Sequence, residues 1–374
     1  MPSGQTARVK PGIEVLVEEQ PQLVEGKRIG LITNQTGVAA DLRSDVDLLR
    51  SVPGVKLVAL FAGEHGLRGA EEAGKKLEGS TDPYTGVPVY SLYGGTLAPK
   101  AEWLQGMDLL IFDIQNSGSS LYTYKFTMSF AMEAAAKAAI PFMVLDRPNP
   151  AGGEVVEGPM LPARDIWRHP LPVRHGMTNG ELATMWNQEY HMGAQLTVVK
   201  MKGWRRDMTW GETGLPWVAP SPNLPTADSD LAYTGQALIE SVSNVAEGRG
   251  TTRPFLMTGA PWVDAVKAAA DLNDRHLPGV IFRPAYFEPT KAGEKFNGQM
   301  CGGVEIYFTD RKAYRAVATT LSILDAYRRS ASHPIAASGS VAGLGSDEGV
   351  EQRVAAYQEG IRQFLQLRQK YLLY

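Results

Sequence analysis

The chain has a single cysteine, Cys301, among 374 residues. One thiol excludes an intrachain disulfide framework and a thiolate metal cluster. Histidine is sparse as well: the six stand at 65, 169, 175, 191, 276 and 333, with no i, i+4 pair and no H-E-x-x-H. A zinc site would have to gather its ligands from distant loops. Charge is nearly balanced, at a net −3 and a pI near 6.1, which removes the electrostatic reason to expect nucleic acid or an anionic membrane. No apolar run approaches the ~20 residues that span a bilayer. The opening MPSGQTARVKPG holds no apolar stretch of signal-peptide type. G-x-G-x-x-G, G-x-x-x-x-G-K-[ST] and G-x-S-x-G are all missing, and with them the usual phosphate cradles and the nucleophile elbow.

What is present is an ordinary globular composition, 44% hydrophobic and 21% charged, in a length suited to two domains or one large one with an appendage. RIGLITN (28–34), VKLVALF (55–61), DLLIFDI (108–114) and PFMVLDR (141–147) are short apolar runs without clean alternation. That is the pattern of parallel strands buried on both faces. GVPVYSLYG (86–94) and QLTVVKM (195–201) read as further strands. Helix-compatible stretches lie between them over 40–51, 99–106 and 124–139. Strand and helix alternate, which predicts a doubly wound parallel α/β layer. Residues 150–180 turn rich in Pro, Gly and Arg and read as a crossing between domains. Thr178 or Asn179 is placed to cap a helix through Tyr190, and Asp228 or Ser229 one to Ser243. WVAPSPNLPTADS (217–229) is too proline-laden for a regular element and reads as a stiff extended loop. Later helices are expected over 261–272 and from 312 to the end, broken over 333–349, with strands over 280–283 and 302–310.

Ligands of such a sheet bind outside the carboxyl ends of the strands, and charge collects at those ends. GEHGLRG (63–69) follows the second strand with Glu64, His65 and Arg68 between glycines. Glu64, shielded by the neighbouring loop and helix, suits a general acid, with His65 and Arg68 as donors to a substrate. The plainer reading is a Glu64–Arg68 pair on a solvated turn. FDIQNSGSSLYTYKF (112–126) offers Asp113, Gln115, Tyr122 and Tyr124 for a polar, aromatic cleft that suits a sugar ring. Equally, Asp113 caps the turn and the tyrosines pack on the sheet. Asp146 and Arg147 close the fourth strand, as a clamp on substrate or on the loop. His175 stands beside a helix start, while Asn223, Glu247 and Arg249 stand on rigid or glycine-rich loops. Trp204, Trp210 and Trp217 serve equally well as core or as carbohydrate platforms.

In order along the chain, GLITNQTG, GEHGLRG, TGVPVYSLYG, FDIQ with YTY, LDRPNPAGG with EGPML, HGMTNGELA, PSPNLPT, EGRGTTRPF, GAPW and LPGVIFRP resemble the exo-β-N-acetylmuramidase (NamZ-like) family over about residues 11–327. The resemblance implies a Rossmann-like N-terminal domain over 11–170 and a smaller α/β C-terminal domain over 171–374, with the active site in the cleft between them. It implies release of terminal non-reducing N-acetylmuramic acid from peptidoglycan fragments, at an extracytoplasmic location. The absent apolar leader leaves a cytoplasmic one open too. Glu64 of the E-H-G motif is the strongest catalytic candidate. His65, Arg68, Asp113, Gln115, Arg147, His175, Asn223, Glu247 and Arg249 fall on matching motif positions and would line the cleft, with Asn116 and Tyr122 beside them. One departure stands out: the family's D-I-Q-D-x-G reads DIQNSG here, with Asn116 where an acid is expected.

The leading expectation is a glycoside hydrolase in which Glu64 protonates the leaving oxygen and Asp113 or Glu247 supplies the second carboxylate. Arg68, Arg147 and Arg249 suit the lactyl carboxylate that marks muramic acid. Two readings from other classes stay open at this point: a non-catalytic muropeptide-binding protein, and a metal-dependent hydrolase built on Glu64, His65, Asp113 and His175. The leading reading calls for a small carbohydrate and for no cofactor, metal, nucleic acid or membrane partner. It leaves the oligomeric state open.

Overall fold

The apolar runs become the strands of one seven-stranded sheet in the computed structural model, which describes residues 8–71, 79–290, 295–331, 333–337, 343–346 and 348–374. Its strands are β1 (Arg28–Thr33), β2 (Lys56–Ala62), β3 (Ser80–Thr81), β4 (Pro88–Ser91), β5 (Leu109–Asp113), β6 (Phe142–Leu145) and, later in the chain, β9 (Leu196–Val199). They lie in the order β3-β4-β2-β1-β5-β6-β9, and every pair but β3–β4 is parallel. Counting only the parallel strands, this is the Rossmann order, with the direction of winding reversing between β1 and β5. Successive side chains leave a strand on opposite faces, which divides the core in two. Ile29, Leu31, Leu109 and Ile111 pack with α1 (Gly12–Glu19) and α2 (Asp45–Ser51). Ile32, Leu110, Phe112 and Phe142 pack on the other side, where α4 (Tyr124–Lys137) and α5 (Asn179–Glu189) contribute Met128 and Trp186. The helix expected over 99–106 is one turn, α3 (Ala101–Leu104).

Residues 150–180 are not a bare crossing. They form an antiparallel hairpin of β7 (Glu157–Leu161) and β8 (Leu171–Arg174). Prolines 159 and 172 hid it in the sequence, and a two-stranded ribbon with a bulge tolerates them where a central strand would not. The next turn caps α5 through Thr178 and Glu181 in a reciprocal capping box. β9 then returns to the edge of the large sheet.

The smaller layer begins with α6 (Ala227–Gln236). Its cap is Thr226, which accepts the Ser229 N–H, rather than Asp228 or Ser229, and the helix tightens into a 3-10 turn over Ala237–Ser241. β10 (Met257–Ala260), β11 (Val280–Phe287) and β12 (Cys301–Phe308) form an antiparallel sheet in the order β10-β12-β11. α7 (Ala265–Asp274) and α8 (Ala316–Ala331) cover it. The core behind α4 runs on into this layer through Leu238, Phe255, Val304 and Leu321. The break expected over 333–349 lies partly outside the described residues. α9 (Val350–Ala356) and α10 (Gln358–Arg368) follow it.

The end of the chain fastens the smaller layer to the larger sheet. Arg368 donates to the carbonyls of Gly153, His175 and Gly176 at 3.1, 3.3 and 2.9 Å. The Tyr374 hydroxyl accepts the Met201 N–H at 2.9 Å and donates to Asp146 at 2.8 Å. Asp146 is fully buried past the end of β6 and also receives Thr178 Oγ1 at 2.7 Å and the Gly180 N–H at 2.9 Å. Burial pushes its carboxyl up to about 6 against those donors. A carboxyl raised above its unfolded value stabilises the fold most at low pH, and its contribution is lost as pH rises through about 6. Tyr374→Phe removes the acceptor of the Met201 N–H at every pH, and with it a donor to Asp146 that favours its ionised form. The expected cost is about 1–3 kcal/mol at pH 7.5 and distinctly less at pH 4.5, read from urea unfolding at the two pH values.

Candidate active site

The tip of β2 turns on residues that tolerate an unusual backbone. At Gly63 a Cβ would lie 3.2 Å from the Tyr124 ring, so glycine lets the chain pass. His65 (φ 69°) and Gly66 (φ 74°) are both left-handed. For a histidine that is a strained conformation, and its ring is held with Nδ1 2.7 Å from the Glu71 carbonyl oxygen. The turn delivers Glu64 to the start of α4, where Thr123 Oγ1 donates to its carboxylate at 2.8 Å. The Tyr93 hydroxyl is bonded to the same group, and burial with the nearby Glu64 charge pushes the Tyr93 phenol up. Below, the Tyr124 hydroxyl lies 2.8 Å from the Glu64 carbonyl oxygen and 3.1 Å from that of Pro220, and Tyr122 donates to Pro220 at 2.9 Å. The stiff 217–229 loop is thereby tied to the tip of β2.

In front of Glu64 lies a cleft of about 190 Å³ between the two layers. His65, Tyr93, Tyr122 and Thr123 come to it from the large sheet, and Trp167 from the hairpin. Asn223, Tyr233, Glu240 and Arg249 come from the other side. Glu64, His65, Tyr122, Asn223 and Arg249 are thus brought together as the sequence suggested. Trp167, Tyr93, Tyr233 and Glu240 were missed. Trp167 sits in the stretch read as a crossing, where an aromatic without a periodic partner was the available signal. Glu240 was read as part of an unbroken helix to Ser243.

Glu247 stands behind Arg249, 1% exposed, with Arg249 Nε at 2.5 Å and Lys295 Nζ at 2.8 Å from its oxygens. Burial pushes its carboxyl up, but Lys295 and Arg249 outweigh that and hold it below the usual range. Glu240 opens to the cleft solvent, yet the protein around it, and then the charges of Glu247 and Glu64, push it up to about 7 against Arg249 and Lys295.

The other candidates lie elsewhere. Asp113 and Arg147 are buried and paired bidentately at 2.5 and 2.8 Å, and Arg147 also donates to the Val38 carbonyl at 2.9 Å. Gln115 is buried beside them, its amide on the Asn116 and Pro148 carbonyls at 2.9 and 2.8 Å. Arg68 turns away from the cleft to Asp82 at 2.5 Å and lies over the Tyr84 ring. His175 is buried, with Nδ1 accepting the Met177 N–H at 3.1 Å, and burial, then Lys125 and Arg368, hold it well below the usual range. Lys125, buried under the cleft floor, donates to the Ser119 and Tyr122 carbonyls at 2.6 and 2.8 Å, and burial brings it down to about 7. Trp204 packs in core with Met201 and Met208, while Trp210 and Trp217 pack edge to face with each other. The four side chains of the metal reading do not converge, and among the described residues no three His, Cys, Asp or Glu side chains are grouped to hold a metal ion.

The model of the N-terminal part of exo-beta-N-acetylmuramidase NamZ matches residues 29–228, and that of its C-terminal part matches residues 231–374. Peptidoglycan beta-N-acetylmuramidase NamZ of Bacillus subtilis (strain 168) is 46% identical over 98% of this chain and 92% of its own length. The chain belongs to the exo-β-N-acetylmuramidase NamZ family. Two solved structures from Bacteroides fragilis NCTC 9343, both described as DUF1343 family proteins, superpose on this NamZ-family chain with TM-scores of 0.86 and 0.78. They are 38% and 28% identical to it, and each match covers 98% of this chain and 99% of the other.

The departure from the NamZ-like motif at Asn116 falls outside the cleft. Asn116 is buried, donates to Asn179 Oδ1 at 3.0 Å and accepts the Ser117 N–H at 3.0 Å. It joins the end of β5 to the start of α5, so the amide takes no carboxyl away from the cleft. The same geometry separates the arginines. Arg147→Met strands Asp113 as a buried charge and is expected to cost about 3–5 kcal/mol in urea unfolding. Arg68→Met breaks an ion pair whose arginine is 60% exposed and is expected to cost no more than about 1 kcal/mol.

Proposed function

We propose that the cleft in front of Glu64 hydrolyses the glycosidic bond of a terminal, non-reducing N-acetylmuramic acid in peptidoglycan fragments. The observation that carries this reading is that the Glu64 carboxylate and the Arg249 guanidinium line one cleft together, between aromatic walls. A sugar ring stacks on aromatic faces such as Trp167 and Tyr233. A carboxylate distinguishes muramic acid from its neighbour in the glycan, and a guanidinium binds carboxylates in a fixed, planar geometry. Glu64 lines the same cleft with its own geometry fixed by Thr123 and Tyr93, which suits a carboxylate that acts at the anomeric carbon. Peptidoglycan lies outside the cytoplasmic membrane, so the reading carries an extracytoplasmic place of action with it.

Incubation with the disaccharide of N-acetylmuramic acid and N-acetylglucosamine, followed by mass analysis, tests the reading. The wild-type chain is expected to release free N-acetylmuramic acid, and Glu64→Gln to release none above background while still binding the disaccharide. Binding by the wild type without release would instead support a muropeptide-binding protein. Arg249→Met is expected to raise KM for the muramic acid glycoside about 10- to 100-fold, the worth of a charge-assisted hydrogen bond. It should leave KM for a glycoside without the lactyl carboxylate nearly unchanged, read from steady-state kinetics on the two substrates.

A further inference from the structure

Hydrolysis of a glycosidic bond ordinarily takes two carboxyl groups, one to protonate the departing oxygen and one to serve the anomeric carbon. Both second carboxylates suggested by the sequence are occupied: Asp113 by Arg147 at 2.5 Å, and Glu247 by Lys295 and Arg249 at 2.8 and 2.5 Å. Neither lines the cleft. Besides Glu64, the carboxyl that does is Glu240, on the 3-10 turn after α6. Resting on the hydrolase reading above, we propose that Glu240 is the second catalytic carboxyl and the proton donor to the leaving oxygen, with Glu64 acting in its ionised form.

The surroundings of the two groups separate their roles. Glu64 takes hydrogen bonds from the hydroxyls of Thr123 and Tyr93, which favour a carboxylate. Among the described residues no hydrogen bond engages the carboxyl of Glu240, so it is available to a glycosidic oxygen. The charges around it are those of Glu64, Glu247, Arg249 and Lys295, and the Tyr233 phenol faces it from α6. Arg249 and Lys295 are already bonded to Glu247, so Glu240 is the cleft acid that lacks donors. Burial in the protein around it raises the Glu240 carboxyl to about 7. In the reaction Glu240 gives its proton to the glycosidic oxygen as the bond from C1 to that oxygen breaks. The oxygen of one water ends on C1 with one of its hydrogens. The other proton of that water returns to the carboxyl pair, which again holds one. The donor role that the sequence suggested for Glu64 passes to Glu240.

The test compares two substrates that differ in their need for a proton: the natural disaccharide and a 2,4-dinitrophenyl β-glycoside of N-acetylmuramic acid. Glu240→Gln is expected to lose about 10²- to 10⁴-fold in kcat on the disaccharide and to stay within about tenfold of wild type on the dinitrophenyl glycoside. The alkaline limb of the wild-type pH profile should vanish in the variant. Glu64→Gln should lose activity on both substrates alike. Glu240→Ala gives the same pattern, and circular dichroism melts read whether either substitution disturbs the fold. A folded Glu240→Gln within about threefold of wild type on the disaccharide, equal losses on both substrates, or rescue by the dinitrophenyl group in Glu64→Gln instead would each overturn the assignment. A wild-type chain that releases sugar from neither substrate overturns the hydrolase reading and this assignment with it.

Discussion

The bidentate pair of Asp113 and Arg147 fills the place where a sheet of this strand order leaves room for a ligand. Winding reverses between β1 and β5, and a nucleotide-binding relative of the fold would take its ligand at that point. Here Asp113 ends β5 opposite Thr33 of β1, Arg147 reaches in from the end of β6, and its free amine is taken by the Val38 carbonyl. Asp45 stands beside them on Thr33, and burial, together with the Asp113 charge, keeps its carboxyl well above the usual range. Burying a charged pair is costly unless its polar atoms are engaged, and here each side-chain nitrogen of Arg147 and each carboxylate oxygen of Asp113 has a partner. With the switch point filled, the cleft between the layers opens at the next strand tip, the end of β2, where the turn at Glu64 faces the smaller layer.

Position within the chain was enough to find that turn. GEHG follows an apolar run that could only be a buried strand, and glycines on either side of charged residues mark a chain leaving a sheet for a reason. Direction was another matter. Glu64 and Arg68 are four residues apart, yet one enters the cleft and the other turns to Asp82. Strands buried on both faces carry no alternation from which to tell where a residue beyond the tip will point. Asp113 and Arg147 were legible as an acid and a base at adjacent strand ends, but a clamp on the loop and a clamp on substrate have the same sequence. The hairpin that supplies Trp167 was hidden because prolines 159 and 172 signal loop, although a two-stranded ribbon accepts them. Glu240 was lost to a boundary. Helical composition runs on past Gln236, while the backbone tightens there and turns the glutamate to the cleft.

The two sides of the cleft are held in register by bonds that cross from one layer to the other. Tyr122 and Tyr124 fix the Pro220 carbonyl from α4's side, and Tyr233 packs edge to face on both Tyr122 and Phe255. The tail from Arg368 to Tyr374 returns to the large sheet at Gly153, Gly176 and Asp146. A cleft between layers keeps catalytic distances only if the layers cannot slide, and misplacement by about 1 Å is enough to slow a reaction about 10²-fold. The tail lines no part of the cleft, but it bears on the same requirement.

Charge within the cleft links recognition to chemistry. Arg249 draws on two acids at once, holding Glu247 ionised behind it and favouring the ionised form of Glu240. A lactyl carboxylate bound to Arg249 would neutralise that attraction and bring a further negative charge beside Glu240. Both changes disfavour ionisation of Glu240 and keep the proton on the group that must donate it. A sugar without the lactyl group fills the ring site but leaves the Arg249 charge favouring loss of that proton. Selectivity for muramic acid then arises in the rate of bond cleavage as well as in binding, because the feature that identifies the substrate also sets the protonation state of the acid that cleaves it.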